Sequence, residues 1–286
     1  MTRFANKGNR SIPVFFYHHI NDFDNIDMAV SPHVFEEQMS YLYKHGYHTI
    51  FLNDLCAFME GKRSLPLKSV AITFDDGYLD NWIHAYPILK KYDLKATIFV
   101  VTNKVEEEGN AVRFSLTNDT SREQYLSWPE LKLISSSGII DVQSHTHTHL
   151  PKIREIAKKK DLTNEDLYCL RRELITSKRL IEAKLDKECK YICWPWGAYN
   201  SQFINLARDC GYTGALTLRR GANSIGSDAM QIRRFYIWLK WDRGIGWFVR
   251  RLFIYSHPKF AMVYSYLIGQ IIFLIRKLLG ITDEFA

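Results

Sequence analysis

The hydrophobic pattern of this chain alternates short, unbroken apolar runs with longer segments in which apolar positions recur every third or fourth residue. The runs at 12–17, 47–51, 69–74, 96–101, 138–143, 190–194 and 212–218 read as strands, and their continuity predicts burial on both faces, as in a parallel sheet. Helix signals fall between them. Ser31 is placed as an N-cap, with Pro32 in the first turn, Gly46 as the stop, and Phe35, Met39 and Leu42 as one apolar stripe. Asn53 is expected to cap a second helix that closes at Gly61, and 81–92 reads as helical despite Pro87. Ser127 and Glu130 form a capping-box signature, Thr163 with Asp166 opens a long helix to Leu185, and Ser201 is expected to cap one that stops at Gly211. Residues 103–124 are polar and irregular, a loop or insertion. Lys158, Lys159 and Lys160 read as a solvated loop or as a meeting point for an acidic partner. There is no internal repeat, and strands alternating with helices predict an α/β fold around a mostly parallel sheet.

Three of the strands end in residues that carry chemistry. The run 69–74 stops at Asp75, Asp76 and Gly77. Side chains alternate along an extended chain, so the two carboxylates cannot share a face, and the glycine permits a sharp turn directly after them. One can therefore bind a cation while the other faces a different ligand, although an Asp-Gly pair also closes β-hairpins. The run 138–143 leads into Ser144-His145-Thr146-His147-Thr148-His149. Imidazoles after one strand and carboxylates after another suit zinc or a similar divalent ion, and catalytic sites of that kind take three protein ligands and leave a position for water. His145 and His149 share a face if the chain coils between them; a solvated histidine-rich loop is the alternative. The run 190–194 is stopped by Pro195-Trp196-Gly197. Strand C-terminal ends are where (β/α) barrels place their sites.

Taken in order, Thr73-Phe74-Asp75-Asp76-Gly77, then His145-Thr146-His147-Thr148-His149, then Trp194-Pro195-Trp196-Gly197 resemble the motifs of the polysaccharide deacetylase family, the NodB homology domain of carbohydrate esterase family 4. The resemblance spans roughly residues 11 to 235, a length that fits one domain. It implies a distorted (β/α) barrel, a divalent metal ion and hydrolytic removal of an acyl group from an amino sugar. By matching positions it implies Asp76, His145 and His149 as metal ligands, Asp75 as general base and the backbone N–H of Trp196 as an oxyanion donor, with His147 as a structural neighbour of the ligands. Two positions depart from the pattern. Where the family often has an arginine that orients the base, this chain has Cys193, and Arg233 or Arg234 is the candidate replacement. The late Leu-x-His motif that supplies the general acid is absent, and the context of His257 does not match it. The chain resembles instead the poly-N-acetylglucosamine deacetylase subgroup in opening with a strand that ends in Tyr17-His18, which makes His18 the candidate acid.

Composition adjusts this picture at the edges. The 286 residues suffice for one large α/β domain, expected at 1–235, and an appendage at 236–286. Five cysteines, an odd number with no Cys-x-x-Cys spacing, fit reduced thiols in a cytosolic setting. The basic N-terminus lacks an apolar stretch long enough for a signal peptide, so the expected location is cytoplasmic, peripheral on the inner membrane. That second expectation comes from residues 236–280, where Trp238, Trp241, Trp247, Phe248, Phe253, Phe260 and Tyr264 lie among Arg243, Arg250, Arg251, Lys259, Arg276 and Lys277, with Asp242 the lone acid. Its apolar run 261–275 is shorter than the roughly 20 residues a spanning helix needs. It fits a helix lying in the membrane interface, or a core-packing or dimerising helix pair. A formal charge of +7 would attract nucleic acid, but no helix-turn-helix or zinc-finger spacing is present to read bases, and no nucleic-acid partner is expected. The expected partner is an N-acylated amino sugar of a glycan or lipid-linked saccharide. Deformylation of a lipid-linked aminosugar and a non-catalytic metal-binding role are the alternatives.

Overall fold

The structure is a computed structural model that describes residues 10–23, 28–107, 113, 124–237 and 244–278, with side chains as far as Ile271. Ten strands are present among them: β1 (Val14–Tyr17), β2 (His19–Ile20), β3 (Ala29–Val30), β4 (His48–Thr49), β5 (Ser69–Phe74), β6 (Ala96–Val100), β7 (Ile140–Ser144), β8 (Tyr191–Cys193), β9 (Gly214–Leu216) and β10 (Phe235–Tyr236). The main sheet runs β10-β1-β5-β6-β7-β8-β9, with β4 on the start of β5, and every pairing in it is parallel. It curls into an incomplete barrel. The edges β9 and β10 are joined by the stretch leading into β10, where Ile232 N–H donates to Ala215 O at 2.9 Å and Thr217 N–H to Ile232 O at 3.0 Å. A second thin seam lies between β7 and β8, which share one paired position; there Gln143 Oε1 accepts the N–H groups of Lys190 and Tyr191, both at 2.9 Å.

The expected α/β barrel architecture is thus the observed one, and its two faces follow from strand parity. Val14, Ala71, Phe99, Tyr191, Cys193, Leu216 and Ile232 form one apolar cluster inside the curl. Their alternates, among them Phe15, Tyr17, Ile72, Phe74, Ile98, Val142, Ile192 and Ala215, face the surrounding helices. Helix α1 (Pro32–Lys44) starts as expected, with Ser31 Oγ accepting from Val34 N–H at 3.2 Å. Helix α2 (Leu52–Met59) plugs the inner cluster with Leu55, Phe58 and Met59. Asn53 does not cap it: Phe51 holds that place, and Asn53 Oδ1 instead accepts from the Tyr191 hydroxyl at 2.6 Å, tying the plug to β8. The segment 81–92 splits into a π-turn, Asn81–Ala85, and α3 (Tyr86–Lys91), with Pro87 tolerated in the first turn of the latter.

Six further helices among the described residues cover the outside or follow the sheet. In α4 (Trp128–Ser136) Glu130 Oε2 accepts the Ser127 N–H at 2.8 Å, and α5 (Ile153–Lys158) follows the histidine loop. In α6 (Asn164–Leu185) Thr163 Oγ1 accepts from Asp166 N–H, and Asp166 also receives Lys159 Nζ at 2.8 Å, so one lysine of the triplet meets an acid of its own chain. The cap of α7 (Ser201–Asp209) is Asn200 rather than Ser201, because Asn200 is extended and its Oδ1 reaches Phe203 N–H at 3.0 Å. Helix α8 (Gly244–Ser256) lies over β1 and β10: Phe248 is 5.0 Å from Phe15, and Tyr255 stacks on Phe235 at 4.8 Å. A division at residue 235 falls inside β10, and we infer that α8 belongs to the barrel. Helix α9 (Pro258–Leu278) follows it with Ala261 buried. Trp238, Trp241, Asp242 and Arg243, like most of 103–124, lie outside the described residues.

Phe248→Ala removes a fully buried ring at the contact between α8 and β1, and should lower stability by about 3–5 kcal/mol in denaturant melts. Val263→Ser, on exposed α9, should shift the same melt by less than about 0.5 kcal/mol.

Candidate active site

Following the inward parity of the strands to or just past their C-terminal ends, and of the bridged position Ile232, assembles the site. Two residues beyond Phe16 is His18; beyond Thr73, Asp75; beyond Gln143, His145; beyond Tyr191, Cys193; beyond Ile232, Arg234. All five meet at one mouth of the curl, where a pocket is lined by His18, Asp75, Asp76, His145 and His149 together with Tyr78, Tyr125, Trp194, Trp196, Leu218 and Tyr236. Asp76 breaks the parity by turning at φ 72°, followed by Gly77 at φ 79°. A Cβ on Gly77 would sit 2.9 Å from Val100 Cγ1, so the turn requires glycine for space as well as for conformation.

Asp76 Oδ1 lies 3.3 Å from His145 Nε2 and 3.7 Å from His149 Nε2, while Asp76 Oδ2 is 3.9 Å from His18 Nε2. The ligand atoms of Asp76, His145 and His149 all lie within 4.8 Å of one another, so this donor set of one carboxylate and two imidazoles fits a divalent ion. His145 Nδ1–H donates to Cys193 O at 2.9 Å, which fixes the ring with Nε2 facing Asp76 and makes Nε2 the nitrogen that would ligate. Burial, and after it the neighbouring His145, push the His149 imidazole down to about 4, which keeps it neutral and able to ligate. Burial alone would raise the Asp76 carboxyl, but the hydrogen bond from His145 and the charges of His145, His18 and His149 together outweigh it and hold the group well below the usual carboxylate range.

The histidines do not share a helical face. Thr146 (φ 68°) and His149 (φ 56°) are left-handed, and these turns, rather than a coil, bring 145 and 149 together. Glu173 on α6 holds the loop: its Oε2 accepts from His147 N–H (3.0 Å) and Thr148 N–H (2.7 Å), and its Oε1 from the Thr148 hydroxyl (2.7 Å). His147 points to Thr102 Oγ1 at 2.9 Å and stays outside the ligand trio. Trp196, also left-handed at φ 58°, half-exposes its ring edge-on to His149 at 5.2 Å, with the Arg154 guanidinium 4.4 Å from its centroid. Strained backbone collected in this way around one pocket marks a functional site.

Asp75 and Arg234 form the tightest contact in the pocket. Arg234 Nη1 donates to Oδ1 at 2.7 Å and Nη2 to Oδ2 at 2.8 Å, with both side chains almost fully buried. Burial alone would raise the Asp75 carboxyl; the Arg234 guanidinium, together with His145 and His18, outweighs it and holds the group below its ordinary value. Arg234 Nη2 also lies 2.9 Å from Cys193 Sγ, at the position left without an arginine. Of the two candidates only Arg234 has the inward parity; Arg233 Nη1 donates to Ala222 O and leaves the pocket. The signal in sequence was the spacing of two from Ile232, legible only once that residue is known to face inward. His257 is exposed at the end of α8, its Nδ1 bonded to Phe253 O at 2.8 Å, and takes no part in the pocket.

Comparison with known proteins agrees with this geometry. A family model described as polysaccharide deacetylase matches residues 62–215. A putative polysaccharide deacetylase, YxkH of Bacillus subtilis, is 29% identical over 213 residues, which are 74% of this chain and 66% of that protein. A poly-beta-1,6-N-acetyl-D-glucosamine N-deacetylase of Staphylococcus aureus is 27% identical over 209 residues, 73% of this chain and 68% of that one. The chain thus spans about two thirds of the length of these relatives. Among solved structures, the Streptococcus pyogenes deacetylase PplD in complex with acetate superposes with a TM-score of 0.66 at 26% identity, covering 80% of this chain and 93% of that one.

Arg234→Met strands a buried carboxylate and should cost roughly 3–5 kcal/mol of stability, whereas Arg233→Ala should leave the melt nearly unchanged. Equal melts for the two variants would show that the Asp75 pair does not organise this end of the barrel.

Proposed function

The chain belongs to the polysaccharide deacetylase family, hydrolases of carbon–nitrogen amide bonds, and we propose that it removes the N-acetyl group of an amino sugar in a glycan. The observation that carries this reading is the juxtaposition of a ligand trio, Asp76, His145 and His149, with a second carboxylate, Asp75, that is held off the trio by Arg234. A pure metal site has no use for that second, separately clamped carboxylate. The S. aureus relative supports an N-acetylglucosamine polymer as the substrate class.

Asp76, His145 and His149 would hold a divalent cation, with zinc favoured by the nitrogen and oxygen donors. When bound, it supplies Lewis acidity at the acyl carbonyl and at the attacking water. Asp75 takes the proton of that water as its oxygen bonds to the acyl carbon; Arg234 occupies one lone pair on each carboxylate oxygen and leaves others to accept it. The backbone N–H of Trp196 donates to the acyl oxygen as negative charge develops there. The carbon–nitrogen bond then breaks as His18, in its protonated form, gives a proton to the leaving amine and returns to neutral imidazole; burial, which lowers the His18 imidazole from its ordinary value, makes that protonated form more acidic and less populated. Acetate and a free amino sugar leave the site.

We extend the reading to a peripheral contact between α9 and an anionic membrane leaflet, which in cells is the cytoplasmic one. Between Gly244 and Leu278 there is no acidic residue, against Arg250, Arg251, Lys259, Arg276 and Lys277. Phe260, Met262, Val263, Tyr266, Leu267 and Ile271 are exposed along α9, and no helix among the described residues is long and apolar enough to cross a membrane. Such a helix suits the headgroup region, where each basic residue contributes on the order of 1 kcal/mol.

Asp76→Ala, His145→Ala and His149→Ala should each abolish bound metal in elemental analysis, while Asp75→Asn should keep it and lose about 100-fold or more in deacetylation of N-acetylglucosamine oligomers. Metal content unchanged in all three ligand variants would sink the site. In flotation assays the full chain should rise with anionic liposomes and weaken with salt, and a chain ended at residue 257 should not. Equal failure of both to float would instead assign the exposed face of α9 to another role.

A further inference from the structure

His18 and His19 are adjacent, yet the fold gives them opposite fates. His18 continues the inward parity of β1 into the pocket. His19 turns away, is buried, stacks on Tyr78 at 3.6 Å and sets its Nδ1 2.7 Å from Asp80 Oδ2. Asn21 Nδ2 donates to the same oxygen at 2.6 Å, and Asn81 Nδ2 donates to Asp80 Oδ1 at 2.9 Å and to His18 O at 2.8 Å. One buried carboxylate therefore gathers a histidine and two amides, and the second of those amides also grips the His18 main chain. We propose that Asp80 and Asn81 are positioning residues that set the proton donor His18 against Asp76 by fixing its backbone.

The argument turns on what else holds His18. Its Nδ1 is buried without a hydrogen-bond partner among the described residues, so no carboxylate or carbonyl orients the ring from behind. Phe16 and Tyr236 pack on it edge-to-face, both at 5.7 Å, which limits rotation of the ring without setting its distance from Asp76. The sheet does not set it either. The last ladder bond near this point is Asp75 N–H to Tyr17 O at 3.0 Å, and the chain then leaves for β2, whose strand partner is the two-residue β3. What remains is the Asp80–Asn81 clamp. Asp80 and Asn81 lie four and five residues after Asp76, on the loop that already carries the base and a metal ligand. The clamp thus joins the segment bearing His18 directly to the segment bearing Asp76, and a displacement of about 1 Å at such a contact is enough to cost on the order of 100-fold in rate.

This inference rests on the assignment of His18 as proton donor, and the test separates the two. The rates of His18→Ala, Asp80→Asn, Asn81→Ala and the double variant His18→Ala/Asp80→Asn are measured on an N-acetylglucosamine oligomer and on p-nitrophenyl acetate, whose leaving group needs no proton. His18→Ala should lose about 100-fold or more on the amide and little on the ester. Asp80→Asn and Asn81→Ala should each lose about 10- to 100-fold on the amide, keep ester turnover within about threefold and keep their metal. The double variant should be no worse on the amide than His18→Ala alone, because a residue that acts through His18 has nothing to act on once it is gone. A selective loss in His18→Ala with an equal loss on both substrates in Asp80→Asn, or full additivity in the double variant, overturns the positioning role and leaves His18 as the donor. Equal losses on both substrates in His18→Ala overturn the donor assignment and the clamp with it. Retained ester turnover and metal content show that each variant has folded.

Discussion

The buried pair of Asp75 and Arg234 is the contact on which both the barrel and its pocket depend. Arg234 comes from the stretch that closes the sheet between its edges β9 and β10, with its N–H bonded to Arg219 O at 3.0 Å, and Asp75 follows directly on the end of β5. Two charges withdrawn from water repay that cost only with close, directional geometry, and the two-pronged contact provides it. The last stitch of the barrel is therefore also the group that sets the candidate base.

That pairing divides the labour of two adjacent carboxylates. Asp75, following strand parity, is neutralised by its guanidinium and turned toward the Cys193 side, while Asp76, flipped by a left-handed turn, faces only imidazoles. A cation entering the trio meets one uncompensated negative charge rather than two. Cys193 is small enough to let Arg234 pass above it to Asp75, and its thiol, pushed up by burial, stays neutral beside the guanidinium. An arginine arriving from β8 and one arriving from the closing stretch would compete for the same space, so the cysteine and the displaced arginine make one arrangement.

Outside the pocket, two other buried carboxylates do for the loops what Arg234 does for the base. Glu173 fixes the histidine loop from α6, and Asp80 fixes the segment after β1 from the Asp75–Asp76 loop. Neither lies in the pocket. Left-handed residues at Asp76, Thr146, His149 and Trp196 are costly alone, and such loop-to-helix and loop-to-loop hydrogen bonds are what hold them.

The sequence by itself determined the alternation of strands and helices, the parallel sheet, and the arrival of carboxylates, histidines and the Trp-Pro-Trp-Gly turn at strand ends, because burial pattern and punctuation are local signals read within a few residues. It also separated Asp75 from Asp76, since parity forbids both from facing one way. Only the tertiary structure decided between Arg233 and Arg234 and between a coil and two left-handed turns for the histidine loop, and only it gave His19, next to the His18 singled out by resemblance, a separate buried place. Those outcomes depend on which face of a strand points into the curl and on partners roughly 25 to 160 residues away, such as Glu173 for the histidine loop, Asp80 for His19 and Asp75 for Arg234. The same holds for α8, whose basic, aromatic composition resembles that of α9, but whose Phe248 and Leu252 find the outer face of the barrel within reach while Phe260, Met262, Val263, Leu267 and Ile271 of α9 do not. Composition names the side chains available for burial; only packing decides which of them find a surface to be buried against.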